Sequence, residues 1–539
     1  MLLRLLWLSS LLACAVRLPG ATTDFPGADD KWQYFQSPNF ELYSRNREAD
    51  SRELLHNLEM FRAMFLDSFK LTEKRRMEVT VYFFKSEKDF HAYVNEVYGP
   101  KNKFDGIYVN GIDRAVICLI PGEDAAGSRQ LVFHEYVHHL FRVTEQNPAP
   151  WFNEGMAELF STVEAKGGKM EFGHPVNGRL WQLQAEQLMP LEQLFAVDQT
   201  SPIFREDEHT GLFYAESWVL MHYLHFGDSK IPAAKRQAFV HLALANKFKD
   251  AADMRSAFRE VFGMDYPEMQ VRLERYVSSG SYYWGKNPLP NVASAASYAR
   301  RKVPLEEIRL RLAELALRMS RSPQGKLALL QAVEDNPRET RALEALGADA
   351  LRDQDELRAR ERWARAVELG TRNPAIYREL GLMEGRAVFS QFDVYFRIPA
   401  EKTQRLRDYL LRSIEYNPEQ TEAYEMLAWV EAFAPEPSIK NLMVVQRAYP
   451  KLSRQERTAL ALAFARVRLD KKPEALEILA ALETMQPDPW ETYGIEVIRA
   501  YIENRPIKRE NLGPANGIGA GRIRVAPPKI AKPTQGGNR

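Results

Sequence analysis

The chain has 539 residues and a mass of 62.0 kDa, with 73 lysines and arginines against 72 aspartates and glutamates, so its formal net charge is +1. This length exceeds the size at which a single core stops growing, and we expect two or more domains. The near-neutral balance excludes a strong overall field of the kind that recruits nucleic acid, so no nucleic-acid partner is expected.

The first 21 residues are predicted to be a secretory signal peptide. One early arginine precedes an apolar run that ends in small residues and is too short to span a bilayer. The order Leu11-Leu12-Ala13-Cys14 also resembles a bacterial lipoprotein box, so a membrane anchor at Cys14 is an open alternative to ordinary cleavage. The only other cysteine is Cys118. This low count favours an exported protein of the bacterial periplasm or cell envelope that lacks disulfides.

Residues 31–285 are predicted to form one α+β domain, a mixed sheet with helices. "KWQYFQSPNFELYS" predicts a strand pair, 47–69 a helix, "MEVTVYFFKS" a strand and "EKDFHAYVNEVYG" a helix. In "GIYVNGIDRAVICLI", Asn110-Gly111 separates two apolar alternating runs and predicts a hairpin. A helix with Ser128 as its N-cap follows, and a second helix begins near Trp151 after the breaker-rich "TEQNPAP". "KGGKMEFGHPVNG" then predicts a strand pair, with several helices after it.

The second half of the chain, residues 303–505, is predicted to be an all-α domain reached through a linker at 286–302. Three pairs, Asn336-Pro337, Asn373-Pro374 and Asn417-Pro418, are each expected to close a helix, and each precedes a similar order of large and small residues. This resembles tetratricopeptide repeats with a loosened period, which implies binding of a protein partner; an irregular helical bundle is the alternative. The basic, Gly- and Pro-rich stretch 506–539 is predicted to be a disordered tail.

The sharpest chemical signal is "HEYVHH" at residues 134–139. On a helix, His134 and His138 are one turn apart and share a face, so both imidazoles can reach one ion. Glu135 lies beside that ion without being a ligand, where its carboxylate can accept a proton from an attacking water and pass it to a leaving amine. The alternative is an amphipathic helix whose histidines, including His139, face solvent or make hydrogen bonds.

A catalytic zinc takes three protein ligands, so a third must come from elsewhere in the chain. Glu154, in "WFNEGMAE", is the best candidate because it opens the next helix after a short proline-containing connection. Glu158 lies one turn further on and is predicted either to replace Glu154 or to hold a histidine N–H.

"HEYVHH" followed by "PAPWFNEGMAELF" resembles the gluzincin metallopeptidases, and within them the bacterial peptidase MA-like family. The resemblance implies a thermolysin-like zincin domain, one Zn²⁺ ion held by His134, His138 and Glu154, and Glu135 as the general base. It also implies a side chain that donates a hydrogen bond to the reacting oxyanion. Tyr214 is the candidate for this role, and His209 and His222 are alternatives. Tyr214 could equally be an aromatic residue of the core.

The same resemblance implies that an edge strand, here in "GIDRAVICLI", pairs with an extended substrate. Arg114 in this segment is expected either to meet a substrate carboxylate or to be a solvated surface residue.

The sequence thus predicts an exported zinc peptidase that hydrolyses peptide bonds of a protein or peptide substrate with a metal-activated water. The alternative is a catalytically silent repeat scaffold for assembly of envelope proteins.

Overall fold

The structure, a computed structural model, describes residues 25–98, 105–121, 125–198, 200–201, 203, 207–227, 230–388, 394–453, 455–485 and 487–505. The predicted signal peptide (1–21) and tail (506–539) lie outside the described residues. The fold is mixed α+β, as expected. None of the described helices is long and apolar enough to cross a membrane.

Within the described residues, nine strands form two sheets. They are β1 (Gln33–Gln36), β2 (Phe40–Ser44), β3 (Glu78–Phe83), β4 (Gly106–Asn110), β5 (Arg114–Leu119), β6 (Glu164–Lys166), β7 (Lys169–Phe172), β8 (Gly285–Pro288) and β9 (Ala299–Lys302). The larger sheet has the order β4-β5-β3-β2-β1-β9, with β2, β3 and β5 parallel and the outer pairs antiparallel. The smaller sheet, β6-β7-β8, is antiparallel.

Helices account for most of the remaining described chain. In the first part they are α1 (Glu48–Ser68), α2 (Glu87–Tyr98), α3 (Ala125–Val143), α4 (Pro150–Ser161), α5 (Asn177–Ala185), α6 (Leu191–Ala196), α7 (Asp207–Phe226), α8 (Ala233–Ala245), α9 (Ala251–Phe262) and α10 (Tyr266–Ser279). In the second part they are α11 (Leu305–Ser320), α12 (Pro323–Asp335), α13 (Thr340–Arg352), α14 (Glu356–Glu368), α15 (Pro374–Val388), α16 (Ala400–Tyr416), α17 (Thr421–Phe433), α18 (Ile439–Ala448), α19 (Gln455–Arg468), α20 (Lys472–Thr484) and α21 (Pro489–Ile502).

Both faces of the large sheet are covered by helices, because its interior strands are apolar on both sides. On β5, Ala115 and Ile117 join the core that contains α1, α3, α4 and α7, whereas Val116 and Cys118 join a second core with α2. Successive side chains of a strand point to opposite faces, so one short run serves two cores. The first core carries the helix with "HEYVHH".

The second core extends into the helical half of the chain. Ile308 and Leu312 of α11 and Leu346 of α13 are buried in the same apolar cluster as Val116 and Phe90. The opening helices of the predicted repeat region are therefore the outer layer of the sheet, which the sequence did not indicate.

The predicted linker at 286–302 is also more structured than expected. Its ends form β8, which completes the small sheet beside β7, and β9, which pairs with β1 at the edge of the large sheet. The segment predicted as a linker thus contains two short strands. Polar strands such as "ARRK" form by pairing with an existing strand edge and show no apolar alternation, so the sequence did not indicate them.

The predicted strand pair in "KWQYFQSPNFELYS" and the predicted hairpin around Asn110-Gly111 are confirmed, and the strand pair predicted near the glycine-rich turn is β6 with β7. Two predicted helix boundaries were wrong. The motif helix begins at Ala125, so Ser128 lies within α3 and is not its N-cap, and Asn373-Pro374 starts α15 instead of closing α14. Proline at the first helical position needs no hydrogen-bond partner, so an Asn-Pro pair can open a helix as well as follow one.

Arg114 is neither solvated nor a substrate contact, and both sequence interpretations of it were wrong. Its side chain is 3% exposed and contacts Glu41 at 2.7 Å, Glu344 at 3.4 Å and Glu314 at 3.6 Å. Arg341 of α13 joins the same cluster through Glu41 and Glu314, each at 2.8 Å. Burial alone would raise the pKa of Glu314, but the guanidinium groups outweigh it and hold that pKa well below its usual range. The cluster ties the sheet to α11 and α13.

Candidate metal centre

Helix α3 packs apolar side chains against α1 and the sheet and presents His134 and His138 to α4. Phe133 stacks on Phe61 of α1 with ring centroids 4.5 Å apart. His134 and His138 lie on another face, one turn apart, with ring centroids 4.9 Å apart. The helical repeat of 3.6 residues thus separates the core-forming positions from the chemical ones.

Helix α4 brings Glu154 to the two histidines. The Glu154 carboxyl is buried, 2% exposed, and its Oε2 lies 3.4 Å from His134 Nε2 and 3.3 Å from His138 Nε2. The two Nε2 atoms are 3.2 Å apart. These three side chains form one of the groups in the described chain whose spacing could hold a metal ion.

The spacing of these atoms fits a tetrahedral zinc ion. Ligands about 2.0–2.1 Å from an ion and separated by the tetrahedral angle lie about 3.3–3.4 Å apart. Glu154 Oε2 makes no hydrogen bond in the structure although it is buried, which is costly for a carboxylate oxygen unless a cation is present. The spacing and chemistry of these residues therefore fit a zinc ion.

The two histidines are oriented from behind by oxygen acceptors. His138 Nδ1 lies 2.9 Å from Asn153 Oδ1, and His134 Nδ1 faces Glu158 Oε1 at 3.4 Å. A proton on each Nδ1 leaves the Nε2 lone pairs directed at Glu154. Of the two predicted roles for Glu158, the one behind a histidine is therefore the one that its position suits.

The charges around the site favour a cation. Burial alone would lower the pKa of His138, but Glu154, followed by Glu135, outweighs it and raises that pKa to about 9. Burial would raise the pKa of Glu154, but the two histidines hold it well below its usual range. The pocket stabilises positive charge between the rings.

Glu135 is half-buried beside this centre and does not point at another side chain. Among the residues that the structure describes, it has no hydrogen-bond or ion-pair partner. Its charge contributes to the raised pKa of both His138 and Tyr214, which places it close to both. A carboxylate without a partner at this position is available for the predicted role of general base.

Tyr214 of α7 lies across the site, with its ring centroid 6.1 Å from that of His134. Burial, followed by the charges of Glu154 and Glu135, raises its pKa well above the usual value, so its hydroxyl stays protonated and can donate. His222 does not suit this role, because its ring nitrogens contact Tyr276 Oη at 2.8 Å and the Gly173 carbonyl at 3.0 Å. The His209 side chain lies outside the described part.

Gly155 explains how α7 comes this close. A methyl group at this position would overlap the Ser217 carbonyl oxygen and lie 2.5 Å from Met221 Cγ. The glycine that follows Glu154 in "NEG" therefore allows the α4 backbone to contact the backbone of α7 at Ser217 and the side chain of Met221, which carries Tyr214 toward the histidines.

Two contributors were missed from the sequence. Arg179 of α5 donates to Glu158 Oε1 at 2.6 Å, and its guanidinium lies 5.2 Å from the centre of the Tyr214 ring. Asn153 holds His138. Asn153 adjoins Glu154 and so carried a local signal, whereas Arg179 reaches the site only through tertiary packing.

The expected edge strand was assigned to the wrong segment. β5, in "GIDRAVICLI", lies between β3 and β4, and β4 is the outer strand on that side of the described sheet. Tyr108 of β4 fixes it to the motif helix through a 2.7 Å contact with His139 Nδ1. His139 is buried, and burial lowers its pKa to about 3, so it is a neutral packing residue and not a solvated one.

A scan of the chain against protein-family models finds no match, and no curated protein matches it significantly either.

Proposed function

We propose that this protein is an exported zinc-dependent peptidase of the gluzincin type. The observation that carries the proposal is the convergence of His134, His138 and Glu154, whose donor atoms lie 3.2–3.4 Å apart. The sequence resemblance to the peptidase MA-like family and the predicted signal peptide support it, and so does a mixed sheet, parallel at its centre, that is flanked by the motif helix.

The residues of this chain divide the chemistry as follows. Zinc, when bound, polarises a peptide carbonyl and lowers the pKa of a neighbouring water molecule. Glu135 accepts the proton of the attacking water and returns it to the leaving amine. The Tyr214 hydroxyl donates to the oxygen on which negative charge develops. Arg179 holds Glu158, and Glu158 faces His134 Nδ1.

We propose that the helical half is a tetratricopeptide-like region that binds a protein partner. Helices that follow one another in the chain, such as α13 and α14, pack together. Trp363 of α14 fills the space beside Gly347 of α13 and donates its Nε1–H to the Glu344 carbonyl at 3.0 Å. Leu357 and Ile439 are largely exposed apolar side chains that suit a protein partner. The alternative function is that the protein is a scaffold that uses the same surface but has no catalytic turnover.

Replacing Glu135 by Gln tests the enzymatic proposal. We expect the purified variant to keep the zinc content of the wild type and to lose about 100-fold or more of its hydrolysis of a dye-quenched unfolded casein. Glu53→Gln, an exposed change on α1, is the matched control and should leave both unchanged.

Two outcomes would contradict the proposal. A wild-type protein without bound zinc would remove the metal centre. A wild type that holds zinc but cleaves no unfolded protein would favour the scaffold.

A further inference from the structure

A second cluster of candidate ligands lies on the small sheet, outside the centre described above. It consists of Glu164 on β6, Glu171 on β7 and His174 just beyond β7. His174 Nε2 lies 3.3 Å from Glu171 Oε2 and 3.7 Å from Glu164 Oε1. Three donor atoms therefore approach each other from three positions along one hairpin.

This arrangement differs from an ordinary histidine–carboxylate ion pair. His174 Nε2 is buried, yet it makes no hydrogen bond with either carboxylate despite the short distances. Glu154 Oε2 in the first centre has the same features: it is a buried candidate ligand atom, it lies close to two others, and it makes no hydrogen bond. Donor atoms that surround an ion are held at such distances without pointing hydrogens at one another.

Neighbouring side chains fix two of the three ligands, Glu171 and His174. Lys286 of β8 contacts Glu171 Oε1 at 2.6 Å, which leaves Oε2 for the cluster. The ring of Trp284 lies 4.9 Å from that of His174. The backbone N–H of His174 donates to Thr162 Oγ1 at 3.0 Å, just past the end of α4.

We propose that Glu164, Glu171 and His174 form a second, structural site for a divalent transition-metal cation. One imidazole and two carboxylates suit Zn²⁺ or Mn²⁺ better than Ca²⁺ or Mg²⁺, which prefer oxygen alone. The ion ties β6, β7 and the residue just beyond β7 to one another, and the His174 N–H bond to Thr162 places this hairpin against the end of α4, the helix that carries Glu154. Its affinity is lower than that of the first centre, because Glu164 is 34% exposed and Lys286 offsets part of the negative charge.

Counting bound zinc in the full-length protein tests this site. The protein is stripped with a chelator, incubated with ZnCl₂, freed of excess metal by gel filtration and measured by elemental analysis. We expect two zinc ions per chain in the wild type and one in His174→Ala. Glu164→Gln, a partly exposed change on β6, is the second variant should His174→Ala fail to fold. His241→Ala, an exposed histidine on α8, is the matched control and should keep two.

A His134→Ala/His138→Ala double variant separates this inference from the proposed function. One ion retained there and lost on adding His174→Ala supports the second site. A single wild-type ion that persists in His174→Ala and disappears in the double variant overturns the second site and leaves the first. A single wild-type ion that is lost in His174→Ala and retained in the double variant supports the second site and excludes the first. A wild type that binds no ion refutes both sites.

Discussion

Gly155→Ala tests whether the close approach of α4 and α7 builds the candidate site. The added methyl would lie 2.5 Å from Met221 Cγ and overlap the Ser217 carbonyl. Ordinary carbon contacts begin at about 3.5 Å, so the two helices must separate by about 1 Å. Glu154 stands on one of them and Tyr214 on the other.

Two opposing effects set the size of the change in stability. Replacing glycine by alanine within a helix stabilises it by about 1 kcal/mol. Overpacking of a closed contact costs about 1–3 kcal/mol. The overpacking wins, and we expect the free energy of unfolding to fall by up to about 2 kcal/mol. Displacement of a catalytic donor by about 1 Å can reduce the rate about 100-fold, so hydrolysis should suffer more than stability.

Thermal unfolding followed by circular dichroism gives the stability, and the casein assay gives the activity. Gly178→Ala is the matched control, because a methyl group on Gly178 of α5 meets no atom within 4 Å. We expect that control to be neutral or slightly stabilising. A Gly155→Ala protein as stable and as active as the wild type would refute the account of this contact.

Three further changes have defined outcomes. Arg179→Met should weaken zinc binding about 10-fold in a competition with a chromophoric chelator, because Glu158 loses the group that holds it; an unchanged affinity would contradict this role. Arg114→Met should lower the free energy of unfolding in urea by about 3–5 kcal/mol, since it leaves buried carboxylates unpaired. Arg47→Ala, at an 84% exposed side chain, should leave that free energy unchanged. Burial raises the pKa of Glu216 to about 8, so its contribution to stability is complete below about pH 4.5 and is lost as the pH rises to 8. In Glu216→Gln the melting temperature should therefore fall less between pH 5 and pH 8, and equal falls would contradict that assignment.

Local patterns in the sequence were enough to place the strands and helices around the site. Alternation over "GIYVNGIDRAVICLI" and helical spacing over residues 47–69 correspond to β4, β5 and α1. Boundaries were less certain, as Ser128 and Asn373 show, because capping residues compete with alternatives only a turn away.

The sequence by itself determined that His134, Glu135 and His138 share a helix and that Glu154 opens the next one, because these relations follow from the helical period and a short connection. Tertiary structure alone decided that Glu154 Oε2 meets both Nε2 atoms, that Arg179 stands behind Glu158, and that α11 and α13 cover the sheet. These contacts join positions far apart in the chain, and no periodicity records a distance between separate elements. Helix packing through Gly155 and burial of the second face of β5 set those distances.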